Sequence, residues 1–295
     1  MKLGIALGGG GAKGLAHIGV LEVLEENGIK PQCVAGTSIG SVVGAIYCLN
    51  GSAKGLREKA GKMIQSDEFK NFRVEEFYTE DKSVFERFKK ELFEKFYFGR
   101  LLFKRSHIKT EVTKKLFADL FGNKAFNNCK IKFSCNALDI QSGEEVTFTQ
   151  GLIADAVWAS CAIPGIIPPF VQENRIFVDG GVIDNIPVAP VKKMGATIVL
   201  AVYLGGRPRF KGVPDTGFRI NQRALSFMKY HLDQRVLSLA DVIINPEVDQ
   251  FHWADFSSID VLIQKGREAT ARKLREVKST LTFWYRLSKI LSMKS

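Results

Sequence analysis

Three short glycine-bearing stretches hold the residues whose types and spacing could do chemistry. They are Gly9-Gly10-Gly11-Ala12-Lys13-Gly14, Gly36-Thr37-Ser38-Ile39-Gly40 and Asp179-Gly180-Gly181. The second reads Gly-x-Ser-x-Gly, the spacing of a nucleophile elbow, where a serine sits on a sharp turn between a strand and a helix. The first follows an apolar strand and precedes a helix. Glycines there let the backbone turn tightly and aim bare N–H groups at a negative charge, which a helix N-terminus also favours. That chemistry suits a dinucleotide, a nucleotide phosphate or the oxyanion of an acyl-transfer intermediate. A dinucleotide site asks for an acid at the end of the second strand, but Ala35-Gly36-Thr37-Ser38 stands there. A P-loop asks for Gly-Lys followed by Ser or Thr, but Lys13 is followed by Gly14. The oxyanion hole keeps all its requirements.

A serine hydroxyl is a weak nucleophile and needs an adjacent base. The chain has four histidines, His17, His107, His231 and His252. In the α/β-hydrolases the order is serine, acid, histidine. His17 precedes the serine, His107 sits in a basic aromatic stretch and His231 in a helical pattern, which leaves His252, in a loop-like stretch after Pro246, as the triad candidate. The other candidate is Asp179, at a strand end with two glycines behind it to let a substrate approach. A carboxylate with an ordinary pKa near 3.9 is poorly matched to a serine. It works only where water is excluded and the alkoxide charge is stabilised at once, as the glycine loop would do. At this level a Ser38–Asp179 pair, a triad through His252 and a nucleotide-binding protein without hydrolysis all stand.

Hydrophobic spacing predicts the elements that must position these residues. A strand is expected over 2–7, a helix over 14–27 closed by Asn27-Gly28, a strand over 33–35 and a helix over 38–49. Such alternation argues for an α/β fold with a parallel sheet and covering helices. The stretch 54–121 reads as helical and polar, with many phenylalanines. Strands are expected again over 132–138, 145–149, 175–178, 196–204 and 241–245. A helical pattern runs over 224–239. A long tail helix is expected from Ser258, opened by a capping box of Ser257 and Asp260. With no repeat and no clear linker, one domain with a helical insertion is the simplest organisation.

At 295 residues, 45% hydrophobic and 25% charged, the composition is that of an ordinary globular protein. No run approaches the roughly 20 apolar residues of a membrane span, and no signal sequence is recognisable. A cytoplasmic protein is expected, with a peripheral place at the inner face of the membrane left open. The five cysteines are odd in number and lack Cys-x-x-Cys spacing, so reduced thiols are expected and a metal site is not. The net charge of +11 is uneven: 82–109 carries +6 and 265–295 carries +7, leaving −2 elsewhere. Phe85, Phe88, Leu92 and Phe96 share a helical face in the first segment, with Lys89, Lys90 and Lys95 off it. Leu274, Val277, Leu281, Trp284, Leu287 and Leu291 share one in the second. Basic amphipathic helices of this kind predict an anionic membrane surface as partner. No nucleic-acid reader motif is present.

Taken in chain order, the three motifs resemble the patatin-like phospholipases. So do Ala159-Ser160-Cys161-Ala162-Ile163-Pro164-Gly165, with Pro168-Pro169 beyond it, and the stretch from Ala137-Leu138-Asp139 to Glu145-Val146. The resemblance covers about residues 3 to 204. It implies a three-layer α/β/α sandwich with a mostly parallel sheet, hydrolysis of phospholipid or lysophospholipid acyl esters, and a serine–aspartate dyad with no histidine, metal or cofactor. Carried over by position, Ser38 is the nucleophile, Asp179 the base, and the backbone at Gly9, Gly10 and Gly11 the oxyanion hole. Lys13, Gly14, Gly36, Gly40, Gly180 and Gly181 support the motifs. Residues 1–204 would form the catalytic core, with a helical insertion at about 54–121. Residues 205–295 would complete the same domain and end in a basic amphipathic helix. The insertion and the C-terminal part match no motif, and substrate choice is expected to lie in them.

Overall fold

A computed structural model describes residues 2–72, 104–210 and 212–282. The strand Leu3–Leu7 (β1) lies at the centre of an eight-stranded sheet. Its neighbours β2 (Cys33–Gly36) and β7 (Ile198–Val202) run parallel to it. β3 (Lys132–Asp139) joins β2 in parallel, and β8 (Val242–Ile244) joins β7 in parallel. β3 also pairs antiparallel with β4 (Glu144–Phe148) and β6 (Arg175–Asp179), and β6 with β5 (Phe170–Gln172). The sheet is therefore mostly parallel, with an antiparallel extension around β3.

Helices cover both faces. Side chains alternate along a strand, so Leu3, Ile5 and Leu7 of β1 look into one core and Ala6 into the other. The first core is closed by α1 (Ala16–Glu26), α2 (Ile39–Asn50), α3 (Leu56–Gln65), α4 (Asp67–Lys70), α5 (Thr110–Phe121) and α6 (Ile153–Cys161), together with the tail helix. The second packs α7 (Val188–Lys193) and Leu237, at the end of α8 (Gly217–Leu237), on the small residues Ala6, Cys33, Ala35 and Ala201. Small side chains on that face let α7 sit close to the strands. Hydrophobic spacing alone did not separate α6, whose apolar run is buried almost all round and shows no period, or β5 and α7, which are too short to show one.

Two local expectations change. The first helix is preceded by a tight 3-10 turn over Gly11–Leu15 rather than beginning at Gly14. The tail helix α9 (Ile259–Thr280) has no capping box from Ser257 and Asp260. The hydroxyls of Ser257 and Ser258 instead both donate to Asp255, at 2.5 and 2.9 Å, because a carboxylate is the stronger acceptor. α9 lies along α1 and buries Val277, while Leu274 and Leu281 pack against the same core. That part of the tail stripe thus faces protein, and Lys278 is held by the Asn27 side chain at 2.9 Å. The stripe at Phe85, Phe88, Leu92 and Phe96, with Lys89, Lys90 and Lys95, lies outside the described residues, as do Trp284, Leu287 and Leu291. No described helix is long and apolar enough to cross a membrane.

Candidate active site

The strand register explains how residues 141 positions apart meet. Cys135 of β3 faces Gly36 of β2 on one edge and Phe148 of β4 on the other. Ala137 faces Val146 of β4 and Asp179 of β6. β2 and β6 therefore share one edge of β3 and run toward each other, with only Asn136 opposite the gap. Ser38 follows the end of β2 and Asp179 ends β6, so the two arrive at the same place. Asn136 ties the seam: its side-chain carbonyl accepts the Thr37 hydroxyl at 2.7 Å, and its amide donates to the Asp184 carbonyl at 2.9 Å.

Ser38 occupies the strained turn that its motif predicts, at φ 54° and ψ −128°, a region costly for a residue with a Cβ. The turn is held from two sides. The Ser38 N–H donates to the Ser160 hydroxyl on α6 at 3.0 Å, and the Ser41 hydroxyl donates to the Ser38 carbonyl at 2.6 Å. Gly40 lies against the Leu7 carbonyl, so close that any Cβ would collide with it. Gly36 closes β2, and Gly14 faces Ile39 across the turn.

Asp179 is buried with the Ser38 hydroxyl as a polar neighbour of its carboxyl, and it accepts a hydrogen bond from the Gly181 N–H at 2.7 Å. Gly180 and Gly181 form the turn that brings that N–H back. Burial pushes the Asp179 carboxyl up to about 6. The Ser38 hydroxyl, the Gly181 N–H and the positive charge of Lys229 oppose the rise without cancelling it. A carboxylate near 6 is a far better proton acceptor than one near 3.9. The environment thus supplies the basicity that the residue type lacks.

The glycine loop lies beside the pair. Gly9 donates its N–H to the Asn185 carbonyl at 3.0 Å, and the Ala12 N–H is taken by the Trp253 carbonyl at 2.6 Å. The N–H groups of Gly10 and Gly11, between these anchors, have no partner among the described residues. Gly11 adopts φ +59°, where a side chain would also strike the Trp253 carbonyl. His17 explains part of the loop's rigidity: fully buried, it bonds the Gly8 carbonyl through Nε2 at 2.8 Å. Burial lowers its pKa to about 4, so it is neutral at pH 7.

Ser38, Asp179 and the loop line a cleft of about 1010 Å³ whose wall also carries Lys13, Arg209 and Lys229. A second, almost wholly apolar pocket opens from Ser38 on the other side, between Val42, Met63, Phe69, Leu116 and Phe117. None of the four histidines lines either cavity. His252 turns away, with its Nδ1 accepting the Ala254 N–H at 3.3 Å. Lys13 is half-buried, which lowers its pKa, with Asp249 nearby opposing the shift.

A polar network behind the pair had no motif to announce it. Lys229 of α8 donates to the Gly181 carbonyl at 3.2 Å and pairs with buried Asp233 at 3.6 Å. Tyr203 and the Asn185 side chain are polar neighbours of Asp233 that favour its charged form, and Asn185 is the residue that anchors Gly9. Burial and the neighbouring Glu145 push Asp184 up to about 7. The one signal in the sequence was Asp184-Asn185, a pair of turn formers just beyond Asp179-Gly180-Gly181.

A family model described as patatin-like phospholipase matches residues 5–192. The chain belongs to that family. It is 33% identical over 294 residues to "Lysophospholipase NTE1" of Pyricularia oryzae, covering 90% of this chain and 18% of that protein. To an NTE family protein of Mycobacterium bovis it is 32% identical over 205 residues, covering 70% of this chain and 49% of the other. The chain thus spans under a fifth of the fungal relative and about half of the mycobacterial one. Among solved structures, VipD from Legionella pneumophila aligns at a TM-score of 0.48 and 15% identity, over 93% of this chain and 66% of that one. The patatin-like match ends within α7, so β7, β8, α8 with Lys229 and Asp233, the loop that supplies the Trp253 carbonyl and α9 all lie beyond it.

Proposed function

We propose that this patatin-like chain is a lipid acyl hydrolase, a phospholipase A or lysophospholipase-type esterase working through Ser38 and Asp179. The observation that carries the reading is the convergence of Ser38 and the buried Asp179 carboxyl on one cleft, with an apolar pocket opening from Ser38 on the other side. The apolar pocket suits an acyl chain, and the cleft, with Lys13, Arg209 and Lys229, suits a glycerol and an anionic headgroup. The names of the fungal relatives favour a lipid with one acyl chain.

Ser38 Oγ attacks the ester carbonyl carbon while its proton passes to the Asp179 carboxylate. The carbonyl oxygen becomes an oxyanion, received by the N–H groups of Gly10 and Gly11. Gly9 serves as the fixed base of that loop. As the tetrahedral centre collapses, the ester C–O bond breaks and Asp179 returns the proton to the departing alkoxide. The acyl chain is left on Ser38. Water then attacks the acyl-enzyme by the same route, with Asp179 again taking and returning the proton, and the fatty acid leaves. The raised affinity of Asp179 for a proton helps both halves, since the same group must accept and give it within one turnover.

The test is product analysis by mass spectrometry with phosphatidylcholine and lysophosphatidylcholine. Wild type releases fatty acid; Ser38→Ala does not, and loses labelling by a fluorophosphonate probe. Turnover by Ser38→Ala above a few per cent of wild type would mean another nucleophile.

A further inference from the structure

Helix α8 has its faces reversed. It spans 21 residues yet buries only Asp233 and Leu237. At 100° per residue, Gln222, Ser226, Lys229, Tyr230 and Asp233 fall on one side, and these line the catalytic cleft. The opposite half carries Ile220, Phe227, Met228 and Leu232, with Leu225 at its border, all exposed. A helix that packs on a core does the reverse, with its apolar stripe inward. The loop before α8 extends the surface: Val213 is 90% exposed, and Phe210 sits edge-on to Phe227 with centroids 5.8 Å apart. Exposed apolar side chains gathered at the mouth of a cleft mark an interaction site.

The charge of this region selects the partner. Residues 205–237 hold seven Lys/Arg against two Asp, a net of +5. Arg207, Arg209, Arg219 and Arg235 are exposed around the apolar surface. A second copy of the chain would set one such basic surface against another. An anionic bilayer offers both what the apolar half lacks and what the arginines attract.

We propose that α8 and the loop before it are the surface by which this protein docks on an anionic lipid bilayer, with the mouth of the catalytic cleft turned to the lipid. The choice of a bilayer rests in part on the hydrolase reading, because a lipid substrate could then enter the cleft without crossing water. This surface is a third one, beside the two basic segments that the sequence suggested, and its described residues are exposed as the role requires.

The experiment separates docking from catalysis by using Ser38→Ala protein, which leaves the vesicles intact. Co-sedimentation is measured with phosphatidylglycerol–phosphatidylcholine vesicles and with phosphatidylcholine alone. Binding is expected to the anionic vesicles, weakening with salt. Leu225→Glu with Met228→Glu is expected to weaken it at least about tenfold, since two exposed apolar side chains can no longer enter the interface. Arg219→Gln and Arg235→Gln are each expected to cost about fivefold at low salt. Leu225 and Met228 do not line the cleft, so the same pair of changes on an intact Ser38 should leave turnover of a soluble short-chain ester within about twofold, which also shows that the variant folds. Unchanged vesicle binding in the Leu225/Met228 variant would overturn the proposal. So would equal binding to neutral and anionic vesicles, or a wild-type dimer in sedimentation equilibrium that the same variant abolishes. Absence of lipid hydrolysis by the wild type would refute the hydrolase reading alone, with the binding result standing by itself.

Discussion

Replacing Asp179 by Asn is expected to remove activity and stabilise the fold at once. Burial holds the Asp179 carboxyl at about 6 against an ordinary 3.8, so the folded state prefers the proton. Below about pH 4 the acid is neutral in both folded and unfolded chains and costs nothing. As pH rises through 4 to 6 the unfolded chain releases its proton first, and stability falls. Above about pH 6 the whole cost is present. A difference of roughly two pH units corresponds to about 3 kcal/mol. Asn has the same shape and no charge, so it escapes this cost. Its NH2 group, buried where a carboxylate accepted hydrogen bonds, gives back about 1 kcal/mol. The variant should therefore be about 2 kcal/mol more stable than wild type near pH 8 and slightly less stable near pH 4.

Urea unfolding of both proteins across that range measures the difference directly, and other titrating groups cancel in it. The catalytic side is read from the same pair: kcat should fall on the order of 10³-fold or more in Asp179→Asn. Wild-type kcat/KM should fall on acidification through about pH 6, as the base becomes protonated. A stability difference that stays constant with pH, or that favours wild type at about pH 8, would refute the reasoning. Either result would mean that the carboxylate is not desolvated and that its basicity has another source.

Gly11→Ala should lower kcat by about 10²–10³, the effect of losing an oxyanion donor, because its Cβ meets the Trp253 backbone. Gly10→Ala should cost less, since its Cβ meets side-chain atoms, Leu204 Cδ1 at 3.0 Å and Cβ at 3.2 Å, rather than backbone; an effect on KM alone in both would argue against the oxyanion role. His252→Gln should change kcat by less than about threefold, whereas a loss matching that of Asp179→Asn would restore the triad. Lys229→Met should shift the acidic limb of the pH–rate profile to higher pH, because the nearby cation holds the Asp179 pKa down. Lys229→Arg should return the limb toward wild type, and an unmoved limb in Lys229→Met would show that the lysine serves Asp233 alone.

The parts of the site that could be read from the sequence are those whose geometry is local. Ser38 needs only its own strand-to-helix turn, and Gly36 and Gly40 on either side declare it. Asp179 with Gly180 and Gly181 is a strand end with its own return turn. Lys229, Asp233 and Asn185 are different, because their chemistry exists only once α8 lies across the end of the sheet. α8 itself was visible merely as a helical pattern over 224–239. Its +5 was hidden by acids elsewhere when everything outside the two basic segments, 82–109 and 265–295, was pooled at −2. The tail stripe misled in the opposite direction. Val277 repeats at helical spacing among lysines, as an interfacial residue would, but the same spacing serves a helix packed along α1. Periodicity reports that a helix has an apolar face; only the partner decides whether that face meets protein or lipid.

The pairing of Ser38 with Asp179 shows why motif order carries no distance. The seam that joins them depends on Cys135 taking Gly36 and, two residues later, Ala137 taking Asp179 on the same edge of β3. A one-residue slip of β6 would turn Asp179 to the other face of the sheet, with both motifs still intact in the sequence. Asn136, opposite the gap, resists that slip by holding Thr37 and the Asp184 carbonyl from the two incoming strands. Glu145 completes its set, accepting from the same amide at 3.0 Å. One amide side chain thus fixes both halves of the site. It sits inside an apolar-looking strand, Phe133 to Leu138, where its residue type alone signals a buried polar requirement.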